Sequence, residues 1–107
     1  MIAVTVVKNG DDYRSIESKG HAGFSSFGKD IVCAAASVLI INTINSIDQF
    51  TDTHIELDSE DSGYVKAVFT EGCDEKAQVL LDSMVLGLTQ IEKQYGKRYL
   101  SIKIQEE

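Results

Sequence analysis

The stretch Asp30-Ile31-Val32-Cys33-Ala34-Ala35-Ala36-Ser37-Val38-Leu39-Ile40-Ile41 decides how this chain folds. A helix is expected from Ile31 to about Phe50, with Asp30 as its N-cap. Its first three turns are apolar on almost every face, so it should be the buried helix of the domain. Cys33 then falls in the first turn, where unpaired backbone N–H groups and the helix dipole favour a thiolate. Just upstream lies Gly20-His21-Ala22-Gly23, a glycine-bearing loop whose histidine can act as a base towards a nearby thiol.

Outward from this helix the pattern alternates between strands and one further helix. Residues 2–8 read as a strand, Asn9-Gly10-Asp11-Asp12 as a hairpin turn and residues 13–18 as the returning strand. Residues 19–29 form a loop. Thr53–Asp58 and Gly63–Thr70 read as a second hairpin around Ser59-Glu60-Asp61-Ser62. Residues 74–95 carry Ala77, Leu80, Leu81, Met84, Leu88, Ile91 and Tyr95 at helical spacing, and Gly96 stands where a C-cap glycine belongs. Residues 99–104 make a last strand. The order ββαββαβ implies an α+β fold, an antiparallel or mixed sheet packed with two helices, as a single small domain over residues 1–107.

Composition narrows the function. The chain has 10 basic and 17 acidic residues and a net charge of −7, which argues against nucleic acid or an anionic membrane as partner. The acid is crowded between Asp48 and Glu75, whereas residues 1–36 hold four acids and four bases, so the candidate site is electrically balanced. The chain opens on a strand pattern, so no signal peptide is expected, and the apolar run 31–41 is too short to span a bilayer. Two cysteines at unrelated spacing suggest free thiols and a cytoplasmic protein.

The chemistry centres on His21 and Cys33. Asp30, Cys33 and Ser37 stand at i, i+3 and i+7 and share a helix face. If the loop folds back, His21 takes the thiol proton and later protonates a leaving amine, while N–H groups at the helix start hold the oxyanion. Asp30 either caps the helix or orients His21. The plainer reading makes Cys33 a small packed residue and His21 a surface residue.

Several rivals are weaker. Gly23-Phe24-Ser25-Ser26-Phe27-Gly28-Lys29 fits a phosphate-binding G-x-x-x-x-G-K, but Asp30 follows where a Ser or Thr should hold magnesium. His21, Cys33, His54 and Cys73 match zinc by type and not by spacing. Ser25 or Ser26 lacks a nucleophile elbow. A Cys73/His54 dyad ranks below Cys33/His21, because His54 is expected in a strand. No metal or cofactor is expected.

At these residues the chain resembles the ribosomal-processing cysteine proteases, the Prp family. The resemblance rests on Gly20-His21-Ala22, a variable loop, and Gly28-Lys29-Asp30-Ile31-Val32-Cys33-Ala34-Ala35-Ala36-Ser37; Leu81–Glu92 of the second helix is also similar. It implies a Cys–His endopeptidase of bacterial cytoplasm, with Cys33 as nucleophile and His21 as general base. The implied substrate is the precursor of a large-subunit ribosomal protein, the twenty-seventh. Its short N-terminal extension ends in a Phe-rich cleavage site, and its removal exposes an N-terminus needed near the peptidyl-transferase centre. The implied assembly is a homodimer. Asp30 and Ser37 match motif positions with their roles open. Gly20, Gly23, Phe24, Phe27 and Gly28 would form a substrate loop that gates the site. The alternative function is a non-catalytic α+β module that binds a ribosomal or nascent protein, with Cys33 merely packed.

Overall fold

The computed structural model describes residues 1–20, 27–60 and 63–107, with backbone only for 27–30. The elements are β1 (Ile2–Asn9), β2 (Asp12–Lys19), α1 (Phe27–Phe50), β3 (Glu56–Ser59), β4 (Val65–Val68), α2 (Glu75–Tyr95) and β5 (Leu100–Glu106). The five strands form one sheet in the order β3-β4-β2-β1-β5. Among the described residues only the β1–β5 pairing is parallel, so the sheet is mixed. The expected ββαββαβ order and α+β class are what the chain adopts.

Strand alternation separates the two sheet faces. Val6, Ile16 and Ala67 stand opposite one another across β1, β2 and β4, and all three are buried. One residue along, the row Lys103-Thr5-Glu17-Lys66-Asp58 crosses all five strands with charges of alternating sign. That row marks the polar face. The two helices cover the other face, where Val32, Ala36, Ile40, Ile44 and Ile47 of α1 join Ala77, Leu81, Met84 and Leu88 of α2 and the inward strand residues in one core.

α2 follows its sequence closely. The Asp74 side chain accepts a hydrogen bond from the Ala77 N–H at 2.9 Å, and Gly96, at φ +99, closes the helix with its N–H donated to the Glu92 carbonyl. Leu80, Ile91 and Tyr95 flank the buried stripe as expected. Gly87 has a reason the periodicity did not reveal. A Cβ there would lie 2.9 Å from Leu39 Cδ1, so the glycine lets the helices approach at this level.

α1 departs from expectation at its start and ends at Phe50 as expected. It begins at Phe27, so Asp30 has helical backbone and is not the N-cap, which by definition lies outside the helical dihedrals. Phe27, Gly28 and Lys29 are helix rather than loop, since a glycine in a helix costs only about 1 kcal/mol and does not bar the turn before the apolar run. The helix from Ile31 to Phe50 is also apolar and long enough to cross a membrane, contrary to the shorter run read from the sequence. Its stripe Val32-Ala36-Ile40-Ile44-Ile47 packs into the sheet core, which accounts for that composition within the fold.

β3 starts later than the alternation suggests, at Glu56 instead of Thr53. The preceding residues spend their polar groups on the cap of α2. The Asp74 N–H donates to Thr53 Oγ1 at 3.0 Å, the Thr53 N–H donates to Thr51 Oγ1 at 3.1 Å, and the Asp52 N–H donates to Asp74 Oδ2 at 3.1 Å. These local bonds compete with a ladder. His54 is therefore an exposed residue of a connecting segment, not of a strand.

Candidate active site

Leu39 of α1 meets Gly87 of α2, and Phe50 at the end of α1 lies with Val79 and Leu80 near the start of α2. The helices are therefore antiparallel, and the start of α1 lies level with the end of α2. The end of α2 leads through Gly96 into β5, whose first residue Leu100 pairs with Ile2. Gly20, at the end of β2, touches Met1. One end of the domain thus gathers Cys33, Met1, Gly20 and the α2–β5 connection.

Cys33 sits on the border of the buried stripe. Val32 and Ala36 on either side are buried, Ala34 and Ser37 are exposed, and Cys33 itself is half-buried against the core. A thiol placed so has one flank held by packing and the other open to a ligand. Asp30, Cys33 and Ser37 lie in one continuous helix, so their shared face stands. Because α1 begins at Phe27, Cys33 is in the second turn and not the first. The unpaired N–H groups belong to residues 27–30 and lie about 5–9 Å along the axis from Cys33. The dipole effect fades over the first turn, so the expected help from the helix start is weaker than the sequence reading allowed.

Gly20 matters for a reason other than loop freedom. Its φ is +81, and a Cβ there would stand 2.6 Å from the Met1 carbonyl oxygen. Only glycine lets β2 end this close to the first residue of the chain before the sequence continues to His21. Of the expected substrate-loop residues, Gly20 directly follows β2, and Phe27 and Gly28 are the first residues of α1. His21, Gly23 and Phe24 lie outside the described residues, as do Ser25 and Ser26.

The second cysteine offers a test of which thiol is chemically competent. His54 and Cys73 line one cleft of about 310 Å³ with Asp52, Thr53, Glu71, Gly72 and Asp74. The structure therefore brings together a pair that the sequence ranked low. The Cys73 thiol nevertheless donates to the Tyr13 carbonyl at 3.6 Å, and its backbone N–H donates to Asp12 Oδ1 at 3.0 Å. Burial first, then the charges of Asp12 and Asp74, push the Cys73 thiol up to about 12. At neutral pH it stays protonated and is a poor nucleophile. Cys73 lies before α2 and Cys33 near the start of α1, at opposite ends of the domain, so the four-residue zinc set is not brought together.

The raised Cys73 value gives a stability prediction with a definite sign. Unfolded, the thiol loses its proton near its ordinary value of 9.0; folded, it keeps it to about 12. Between those values the unfolded state binds fewer protons, so stability falls as pH rises. Urea unfolding of wild type should therefore weaken from pH 9 to 11, and Cys73→Ser should flatten that decline. An equal decline in both proteins would show that Cys73 does not titrate across the transition.

Comparison with known proteins identifies the family. Residues 1–100 match the family model described as cysteine protease Prp. The chain is 34% identical over 101 residues to the ribosomal processing cysteine protease Prp of Bacillus subtilis strain 168, covering 89% of this chain and 90% of that protein. A crystal structure of a Streptococcus mutans protein superposes with a TM-score of 0.85 at 32% identity, covering 100% of this chain and 96% of the other. The essential ribosomal processing protease Prp from S. aureus, crystallised with a covalently linked product peptide, superposes with a TM-score of 0.87 at 26% identity, covering 98% of this chain and 100% of the other. With its sequence matched almost end to end and its fold shared, the chain belongs to the Prp family of cysteine proteases.

Proposed function

We propose that this cysteine endopeptidase removes the N-terminal extension of a large-subunit ribosomal protein, the twenty-seventh, using Cys33 as nucleophile and His21 as general base. The observation that carries the choice of thiol is the contrast between the cysteines. Cys33 stands half-buried with an open flank at the end of the domain where β2 gives way to Gly20-His21, whereas Cys73 is held protonated by burial and two carboxylates.

The cycle balances without a cofactor. His21 accepts the Cys33 proton, and the thiolate adds to the scissile carbonyl. The tetrahedral intermediate collapses to a thioester as His21 gives that proton to the leaving amine. Water, deprotonated by His21, then adds to the thioester, and the Cys33 thiol leaves reprotonated. Asp30 and Ser37, three residues before and four after Cys33 in the same helix, border the acyl group in this reading. Alkylation with iodoacetamide, read by peptide mass mapping, tests the dyad. Cys33 should label faster than Cys73, and His21→Ala should slow Cys33 labelling. Equal rates at both thiols, unaffected by His21→Ala, would instead favour a binding module with an inert Cys33.

The working assembly in this reading is a cytoplasmic homodimer. Val38 (67% exposed) and Ile41 (51%) on α1 and Leu86 (60%) on α2 leave the outer side of the helix pair apolar. Self-association by a two-fold axis covers such a face with a copy of itself. Light scattering at tens of micromolar should give twice the chain mass, and Val38→Glu with Leu86→Lys should halve it. A wild-type monomer would reject the dimer.

A further inference from the structure

We propose that the end of the domain remote from Cys33 carries a docking groove for a basic, apolar-anchored segment of the protein substrate, separate from the site that holds the cleaved bond. This rests on the ribosomal-protein reading above, because a ribosomal protein supplies a strongly basic body behind its cleaved extension.

The groove has an apolar head and an acidic trough. Phe50, Val79, Leu80, Glu75 and Lys76 enclose about 460 Å³ between the end of α1 and the start of α2. Phe50 is 71% exposed and Val79 64% exposed, unusual for residues of this size on a polar end of the molecule. Glu75 and Lys76 also line the next depression, with Thr51, Asp52 and Asp74. Asp52 and Asp74 in turn line the third, with Glu71 and His54. The three depressions adjoin one another through these shared residues and make up a furrow. Along it stand four carboxylates, Asp52, Glu71, Asp74 and Glu75, against the single lysine Lys76.

The occupant follows from that charge. Asp74 is held below the ordinary carboxylate range, first by the Ala77 N–H it accepts, so it stays charged. A second copy of this chain, itself at net charge −7, would bring acid to acid there. A segment with an aromatic or aliphatic anchor followed by lysines or arginines matches both parts, and charge complementarity of this kind chiefly sets selectivity and association rate. Such an exosite lets the enzyme take its substrate by the body while the extension reaches Cys33 at the other end.

The test compares the full precursor ribosomal protein with a short peptide covering only its cleavage site. Asp52→Lys with Glu75→Lys should lower kcat/KM for the full precursor at least tenfold, mainly through KM, and leave the short peptide unchanged. Lys76→Glu should raise kcat/KM for the precursor. Equal losses on both substrates, or no loss on either, would overturn the groove. So would a reversal variant that halves the mass of a dimer, since the furrow would then face a second copy. If wild type cleaves neither substrate, the proteolytic reading fails by itself. The groove is then decided by binding of a fluorescent Lys-rich peptide with one Phe anchor to Cys33→Ala protein. Weakening by Asp52→Lys/Glu75→Lys and by Phe50→Ser supports it, and unchanged binding rejects it.

Discussion

Cys33→Ser is expected to lower peptide cleavage by about a thousandfold or more while the protein stays folded. Removing the nucleophile of a covalent mechanism typically costs three or more orders of magnitude, because the residual rate comes only from binding and positioning. A factor of a thousand corresponds to about 4 kcal/mol of transition-state stabilisation. Serine keeps the size of the side chain but is a far weaker nucleophile beside a base matched to a thiol. The position is only half-buried, so unfolding free energy should move by less than about 1 kcal/mol. Cys73→Ser is the matched control and should cleave at close to the wild-type rate. Initial rates on a cleavage-site peptide and urea unfolding curves decide both points. Full activity in Cys33→Ser, or its loss in Cys73→Ser, would assign the chemistry to the wrong cysteine.

Gly20→Ala should be more damaging than the same change at Gly10, Gly72, Gly87 or Gly96. A non-glycine residue at φ +81 carries a backbone penalty of about 1–2 kcal/mol. The added carbon also falls 2.6 Å from the Met1 carbonyl oxygen, so the ends of β1 and β2 must separate. Together these should lower stability by about 2–4 kcal/mol. The displacement acts at the residue preceding His21, so turnover should drop even under conditions where the variant is fully folded. Gly10→Ala provides the comparison, because its φ is +63 but no atom lies within 4 Å of the added carbon. It should lose only the backbone penalty and keep its turnover. If Gly20→Ala and Gly10→Ala behave alike, the contact with Met1 has no consequence.

Much of this architecture is legible in the sequence where a single periodicity dominates. The α2 stripe from Ala77 to Tyr95 with Asp74 before it and Gly96 after it specifies both a helix and its ends. The alternation in β1 and β2 does the same for the central hairpin. Legibility fails where two local signals compete. Asp30 carries the chemistry of a cap, yet α1 runs three residues further back, because capping propensity does not forbid an interior position. Thr53 reads as the first residue of a strand and instead, with Thr51, holds the segment before β3 against the cap of α2. It fails again where the cause is a distant partner. Nothing local says that Gly87 meets Leu39 or that Gly20 meets Met1, although a glycine inside an amphipathic helix is itself a sign of close approach.

The same division holds for the site. His21 and Cys33 are readable as chemistry because a histidine in a glycine-bearing loop and a cysteine near a helix start are a recognisable pair. The second pair ranks low in the sequence because His54 is expected in a strand, and the structure removes that reason by placing His54 before β3. His54 and Cys73 share a cleft only because the segment after α1 folds onto the start of α2. The Cys73 thiol is held protonated by burial, by Asp12, a residue of another hairpin, and by Asp74.

The most direct measurement is incubation of the enzyme with the precursor ribosomal protein, read by intact-mass and N-terminal peptide mass spectrometry. Wild type should convert the precursor to one shorter product that lacks the N-terminal extension, and Cys33→Ala should leave the precursor whole. A precursor untouched by wild type, or one trimmed equally by Cys33→Ala, would contradict the assignment of this chain as a Cys33-dependent ribosomal-protein processing endopeptidase.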